Sequence, residues 1–91
     1  MVTKYTPEEI DRIMRERVEY KIYETTLKTG LMAEWTFTYP TGYKTADVVC
    51  AFPMNETDHD VAIATKLILK RIEDKVWEIC GKYTLGTGDK L

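Results

Sequence analysis

Val61-Ala62-Ile63-Ala64-Thr65-Lys66-Leu67-Ile68-Leu69-Lys70-Arg71-Ile72-Glu73-Asp74-Lys75-Val76-Trp77-Glu78-Ile79-Cys80 is the stretch that decides the fold. Val61, Ala64, Ile68, Ile72, Val76 and Ile79 recur at helical spacing and form one stripe. Ile63, Leu67, Leu69 and Trp77 lie beside or opposite that stripe. A helix on the surface of a small domain needs only one apolar stripe toward its core. The surplus is more than the rest of a 91-residue chain offers to cover, so the sequence predicts that copies pair through this helix.

Upstream, Thr6-Pro7-Glu8-Glu9 has the composition of a helix start. Thr6 can accept from the Glu9 amide, Glu9 can reach back, and Pro7 occupies a first-turn position where no amide donor is needed. Ile10, Ile13, Met14 and Val18 mark a buried stripe and predict a helix ending near Tyr20. Residues 20–30 read as a short extended segment and a turn. Leu31, Ala33, Trp35, Phe37 and Tyr39 alternate with polar or less apolar neighbours, a strand with one core face. Pro40-Thr41-Gly42 is a turn, and Tyr43 to Cys50 is the return strand, with Ala46, Val48 and Cys50 expected toward the core. Pro53 ends that strand, Asn55-Glu56-Thr57-Asp58 offers caps for the long helix, and Gly81 is its expected stop. The whole predicts an α+β fold: N-terminal helix, antiparallel β-hairpin and long C-terminal helix, assembled as a homo-oligomer. One domain is expected over 1–83, with a flexible tail over 84–91.

Bulk properties narrow the function. A net charge of −2 gives no general attraction to nucleic acid, which disfavours duplex binding while leaving a local basic pocket possible. No segment is long and apolar enough to span a membrane, and the first residues have no signal-peptide pattern. Cys50 and Cys80 are isolated and fit reduced thiols better than a disulfide, which suits the cytoplasm.

Catalytic groups are scarce. The chain has no serine, and its one histidine, His59, sits between Asp58 and Asp60 at a helix start, where carboxylates complement the macrodipole. The two thiols have no base near them in sequence. Gly86-Thr87-Gly88-Asp89-Lys90 lacks the strand before it and helix after it that a phosphate cradle needs. These readings predict no enzyme activity, metal or cofactor. Interleaved aromatic, basic and hydroxyl residues remain: Lys4-Tyr5, then Tyr20, Lys21, Tyr23, Thr25, Thr26 and Lys28. Tyrosine rings can stack on bases, and lysines and threonines can meet phosphate oxygens. The same tyrosines equally suit packing, and Lys66, Lys70 and Arg71 equally suit a solvated stripe.

Val18-x-Tyr20-x-Ile22-Tyr23, Thr25-Thr26, Gly42-Tyr43, Cys50-x-x-Pro53-x-Asn55, Asp58 and Lys75-Val76-Trp77-x-x-x-Gly81-x-Tyr83 together resemble a small tailed-phage family long without an assigned function. Some of its members are sponge proteins that counter CBASS immunity by sequestering cyclic oligonucleotides. The similarity covers residues 18–83. This chain differs in being longer between Tyr20 and Gly42 and around 57–60. It also carries Ala64-Thr65-Lys66 where the family has a Gly-Arg-Lys type of start, and Lys82 inside the Gly-Tyr ending.

The resemblance implies a non-enzymatic protein of the host cytoplasm, hexameric as in studied relatives. It implies cyclic dinucleotides bound between subunits by tyrosine and lysine, and cyclic trinucleotides in separate basic pockets. Carried onto this chain, the dinucleotide pocket is expected from Tyr5, Tyr20 and Lys21, with Tyr23, Thr26 and Lys28 behind them. The second pocket is expected from Lys66, Lys70 and Arg71. A two-fold interface presents each such residue twice, which matches a ligand with two bases and two phosphates. The competing expectation is a small phage protein that inhibits a host protein through its aromatic and apolar surface.

Overall fold

The computed structural model describes residues 4–24, 30–51 and 59–91. Thr26, Lys28, Pro53 and the cap candidates at 55–58 lie outside the described residues. Helix α1 spans Pro7–Arg17, and its start is the expected capping box. Thr6 Oγ1 accepts from the Glu9 amide at 3.1 Å, and Glu9 Oε1 accepts from the Thr6 amide at 2.9 Å.

The helix stops three residues before the expected Tyr20. Val18 is already extended, at φ −117° and ψ 128°, and opens strand β1, Val18–Glu24. Alternating Val18, Tyr20 and Ile22 suit a strand, and each faces a large or core residue of the next one. That next strand is β2, Leu31–Thr38, followed by β3, Lys44–Ala51, and the three form an antiparallel sheet in the order β1-β2-β3. The α+β class holds, with a three-stranded sheet in place of the expected hairpin.

Register decides which residues meet. Val18, Tyr20 and Ile22 pair with Phe37, Trp35 and Ala33, while Glu19, Lys21 and Tyr23 pair with Thr36, Glu34 and Met32. On the other side, Phe37, Trp35, Ala33 and Leu31 pair with Thr45, Asp47, Val49 and Ala51. Cross-strand partners share a face. The helices therefore cover the face carrying Leu31, Ala33, Trp35 and Phe37, all buried. Ala46, Val48 and Cys50 lie on the opposite, open face, contrary to expectation. The turn is the cause: Gly42 donates to the Tyr39 carbonyl at 2.8 Å, with its own φ at 91°, and Tyr39 donates to the Tyr43 carbonyl at 2.8 Å. That three-residue loop sets Thr38 opposite Lys44, which sends the odd-numbered residues of β3 inward.

Helix α2, His59–Thr87, runs about 43 Å at ordinary helical rise, nearly the 46 Å length of the molecule. Ala64, Ile68, Ile72, Val76, Cys80 and Thr84 form its buried stripe. Trp77 and Ile79 are partly buried against the same core, and Leu69 is half-buried. Of the apolar surplus that the sequence assigned to a second copy, Trp77 packs against the protomer's own core and Leu69 is half-buried, while Ile63 and Leu67 stay exposed.

The C-terminal segment is also unlike the expected flexible tail. α2 passes through Gly81 and ends at Gly88, whose φ is 81° and whose amide donates to the Thr84 carbonyl at 2.8 Å. Leu91 then returns to the core: its amide donates to Tyr5 Oη at 2.9 Å, and Arg12 Nη2 donates to its carbonyl at 2.9 Å. Lys90 Nζ reaches the Glu9 carboxylate at 3.1 Å and lies 5.1 Å from the centre of the Tyr5 ring.

Candidate binding surface

The open face of the sheet holds a shallow groove of about 590 Å³. Glu19 and Lys21 from β1, Glu34 and Thr36 from β2, and Ala46 and Val48 from β3 project into it. Tyr20, Trp35 and Asp47 also line it, but their side chains leave from the helix side, so they offer the groove main chain. Lys21 stands directly across from Glu34. Tyr23, one pleat along on the same face, hydrogen-bonds the Glu34 carboxylate. That bond, aided by desolvation and the carboxylate's charge, pushes the Tyr23 phenol up to about 12. The groove therefore presents one cation, two carboxylates and a half-exposed Val48, with the Tyr23 phenol held in its neutral donor form beside it.

The expected dinucleotide pocket is divided by this geometry. Tyr20 and Lys21 are consecutive strand residues and point to opposite faces, so one chain cannot aim both at one ligand. Tyr20 is half-exposed on the helix side at the β1 edge. Tyr5 is buried between the helices, its hydroxyl held by Thr84 at 2.8 Å and by the Leu91 amide, and it has no free face for a base. Lys21 and Tyr23 are the two expected residues that the fold brings together. Thr26 and Lys28 lie outside the described residues. Glu34, Thr36 and Val48 share the groove and were not singled out from sequence. Their signal was the strict alternation of β2 combined with a turn length that sets β3.

The second expected cluster is likewise separated. Arg71 Nη1 donates to the Cys50 carbonyl at 2.8 Å, tying α2 to β3. Arg71 lines a groove of about 560 Å³ with Asp74, Lys75 and Glu78, and neither Lys66 nor Lys70 lines it. Lys70 is 3.8 Å from Asp74, one helical turn on, and Lys66 is exposed. Along the helix, Lys75 and Lys82 flank Glu78 at 3.9 and 3.1 Å. The hydrogen bond and charge of Lys82, then the charge of Lys75, hold that carboxylate below its ordinary range. Cations on this helix are thus mostly committed to neighbouring acids.

Among the described residues no group of three or more His, Cys, Asp or Glu could hold a metal ion, and no helix is long and apolar enough to cross a membrane. Burial, the largest influence, pushes the Cys80 thiol up to about 11, so it is a packing residue at neutral pH. Two donors, Arg17 Nε and Trp35 Nε1, are buried with no partner among the described residues, although Arg17 Nη1 reaches the Thr38 carbonyl at 3.2 Å. No protein-family model, curated protein or solved structure matches the chain.

Proposed function

We propose that this chain is a non-enzymatic phage immune-evasion protein of the host cytoplasm that captures cyclic oligonucleotides and blocks CBASS effectors by depriving them of ligand. The observation that supports it is the placing of Lys21 and Tyr23 on one uncovered sheet face beside a groove of about 590 Å³. An aromatic ring on a sheet surface is a stacking platform for a base, and a neighbouring ammonium meets a phosphate. Glu34 and Glu19 accept from exocyclic amino groups of a base, which favours guanine- or adenine-containing rings over uracil.

One groove supplies a single lysine for two or three phosphates. The reading therefore needs more than one copy, as in a homo-oligomer of hexamer type that presents each Lys21 repeatedly. Lys66, Lys70 and Arg71 stay as candidates for a trinucleotide pocket only where a second copy adds to them. A specific observation favours the alternative, inhibition of a host protein. Glu19 and Glu34 outnumber Lys21 in the groove, and exposed Val48, Ile63 and Leu67 suit a protein partner carrying basic and apolar side chains.

Isothermal titration with a panel of cyclic di- and trinucleotides, followed by chromatography of the recovered ligand, tests the proposal. The expected result is tight binding with the ligand returned intact, weakened about tenfold or more by Tyr23→Ala. Degraded ligand would replace the sponge by an enzyme. No binding to any ring would leave the host-protein reading.

A further inference from the structure

We propose that the free edge of β1 pairs with β1 of a second copy, antiparallel about a two-fold axis at Tyr20, to make one six-stranded sheet. Among the described residues no strand covers that edge, because β1 is an outer strand of the sheet. Glu19, Tyr20 and Lys21 on it are all exposed. An uncovered strand edge is a template for another strand unless something blunts it.

Self-complementarity singles out the occupant. With Tyr20 opposite the partner's Tyr20, the order Val18-Glu19-Tyr20-Lys21-Ile22 places Glu19 across from Lys21 twice and Val18 across from Ile22 twice. The charged pairs fall on the open face and the apolar ones on the helix face, matching the protomer's own faces. Shifting the axis by one residue fails. Centred on Lys21 or on Glu19, the pairing sets like charges directly opposite, which is destabilising. The exposed Tyr20 ring finds its cover in the partner's ring, a contact of the kind that stabilises cross-strand pairs.

The other outer strand, β3, lacks these properties. Its Val48 amide donates to the Asp47 carboxylate at 2.8 Å, and its Cys50 carbonyl accepts from Arg71 at 2.8 Å, so two main-chain groups are already engaged by side chains. Its charged residues, Lys44 and Asp47, lie on opposite faces and cannot meet in a two-fold pairing. Among the described side chains of α2, Ile63, Leu67 and Leu85 are the exposed large hydrophobics, and Leu85 lies about 27 Å along the helix from Leu67, so they make no single patch. The β1 inference stands on the strand edge and holds whether or not a nucleotide binds.

Sedimentation of the full chain together with cysteine crosslinking tests it. The wild type is expected to sediment as a dimer or a multiple of one. Glu19→Lys should raise the dimer dissociation constant about tenfold or more, by turning two attractive pairs into repulsive ones. Glu24→Lys makes the same charge change on the same strand but has no β1 residue opposite it, and should leave association unchanged. In a Cys50→Ala background, Tyr20→Cys should oxidise to a linked dimer, since residues directly opposite lie about 4.5–5.5 Å apart, within disulfide reach. Lys21→Cys should not, because its two copies sit diagonally, about 8 Å apart. A monomeric wild type, equal effects of the two charge reversals, or crosslinking at 21 in place of 20 would each overturn the pairing.

Discussion

Tyr5 and Thr84, 79 residues apart in the sequence, share a buried 2.8 Å hydrogen bond that joins the residue before the α1 cap to the last buried turn of α2. The same phenol accepts from the Leu91 amide at 2.9 Å, so one hydroxyl ties together three separate segments. Tyr5 is thereby a structural clasp, although a helix-start tyrosine followed by Thr-Pro-Glu-Glu invites a ligand-binding reading.

Tyr5→Phe keeps the ring and removes only the clasp. The Thr84 hydroxyl and the Leu91 amide then lose a partner in a buried site, at a cost of about 1–3 kcal/mol. Urea unfolding should show a lower midpoint with an unchanged slope. A midpoint equal to wild type would mean that the hydroxyl contributes nothing to holding the C-terminal segment.

Glu9 belongs both to the capping box and to the ion pair with Lys90. Its hydrogen bond from the Thr6 amide, then that from Lys90, holds its carboxyl below the ordinary range. A carboxyl depressed in the folded state adds stability above its unfolded value of 4.5, and that stability is lost as pH falls through the lower folded value. Melting temperature followed from neutral pH into acid should therefore fall less steeply for Glu9→Gln than for wild type. Parallel curves for the two proteins would remove Glu9 from the account of acid sensitivity.

The residues differ in how plainly they announced these roles. Thr6, Pro7 and Glu9 act within four positions of one another, so their capping geometry was legible in the sequence. The alternation Leu31-x-Ala33-x-Trp35-x-Phe37 likewise fixed the core face of β2, since Glu34 and the three threonine and methionine neighbours suit the other side. β3 was different. Ala46-Asp47-Val48-Val49-Cys50-Ala51 is apolar on both parities, and only the turn at 39–43 decides between them. β1 was hidden for a related reason, because its lysine, tyrosine and glutamates make no single apolar face until paired with β2. Tyr20 and Lys21, expected in one pocket, part to opposite faces of the protomer because that segment is a strand, and Leu91 could be placed only by a contact spanning 86 positions.

Tyr23 and Glu34 supply an alkaline counterpart to Glu9. Hydrogen bonding to Glu34 raises the phenol to about 12, so ionisation is resisted while the fold persists. An acid whose folded value is raised contributes stability below its unfolded value of about 10, and that stability is lost as pH climbs from there toward 12. Glu34→Gln removes the charge and weakens the bond. Ultraviolet titration of the phenolate should then show one tyrosine ionising earlier than in wild type. If all tyrosines titrate identically in the two proteins, the bond is absent in solution.

Adjacent valines test the sheet register most directly. Val48 is 48% exposed on the open face, while Val49 packs against the core on the helix face. Threonine has nearly the shape and the strand preference of valine, so Val→Thr changes one methyl to a hydroxyl and little else. At position 48 water solvates that hydroxyl, and the cost should stay within about 0.5 kcal/mol. At position 49 the hydroxyl is partly desolvated against the core, and the cost should be about 1–3 kcal/mol. Hydrophobic alternation read through Ala46, Val48 and Cys50 demands the reverse order, so denaturant midpoints for the two variants decide between the readings. If Val48→Thr proved the more damaging, β3 would be shifted by one residue, and Val48 would leave the groove that it shares with Lys21.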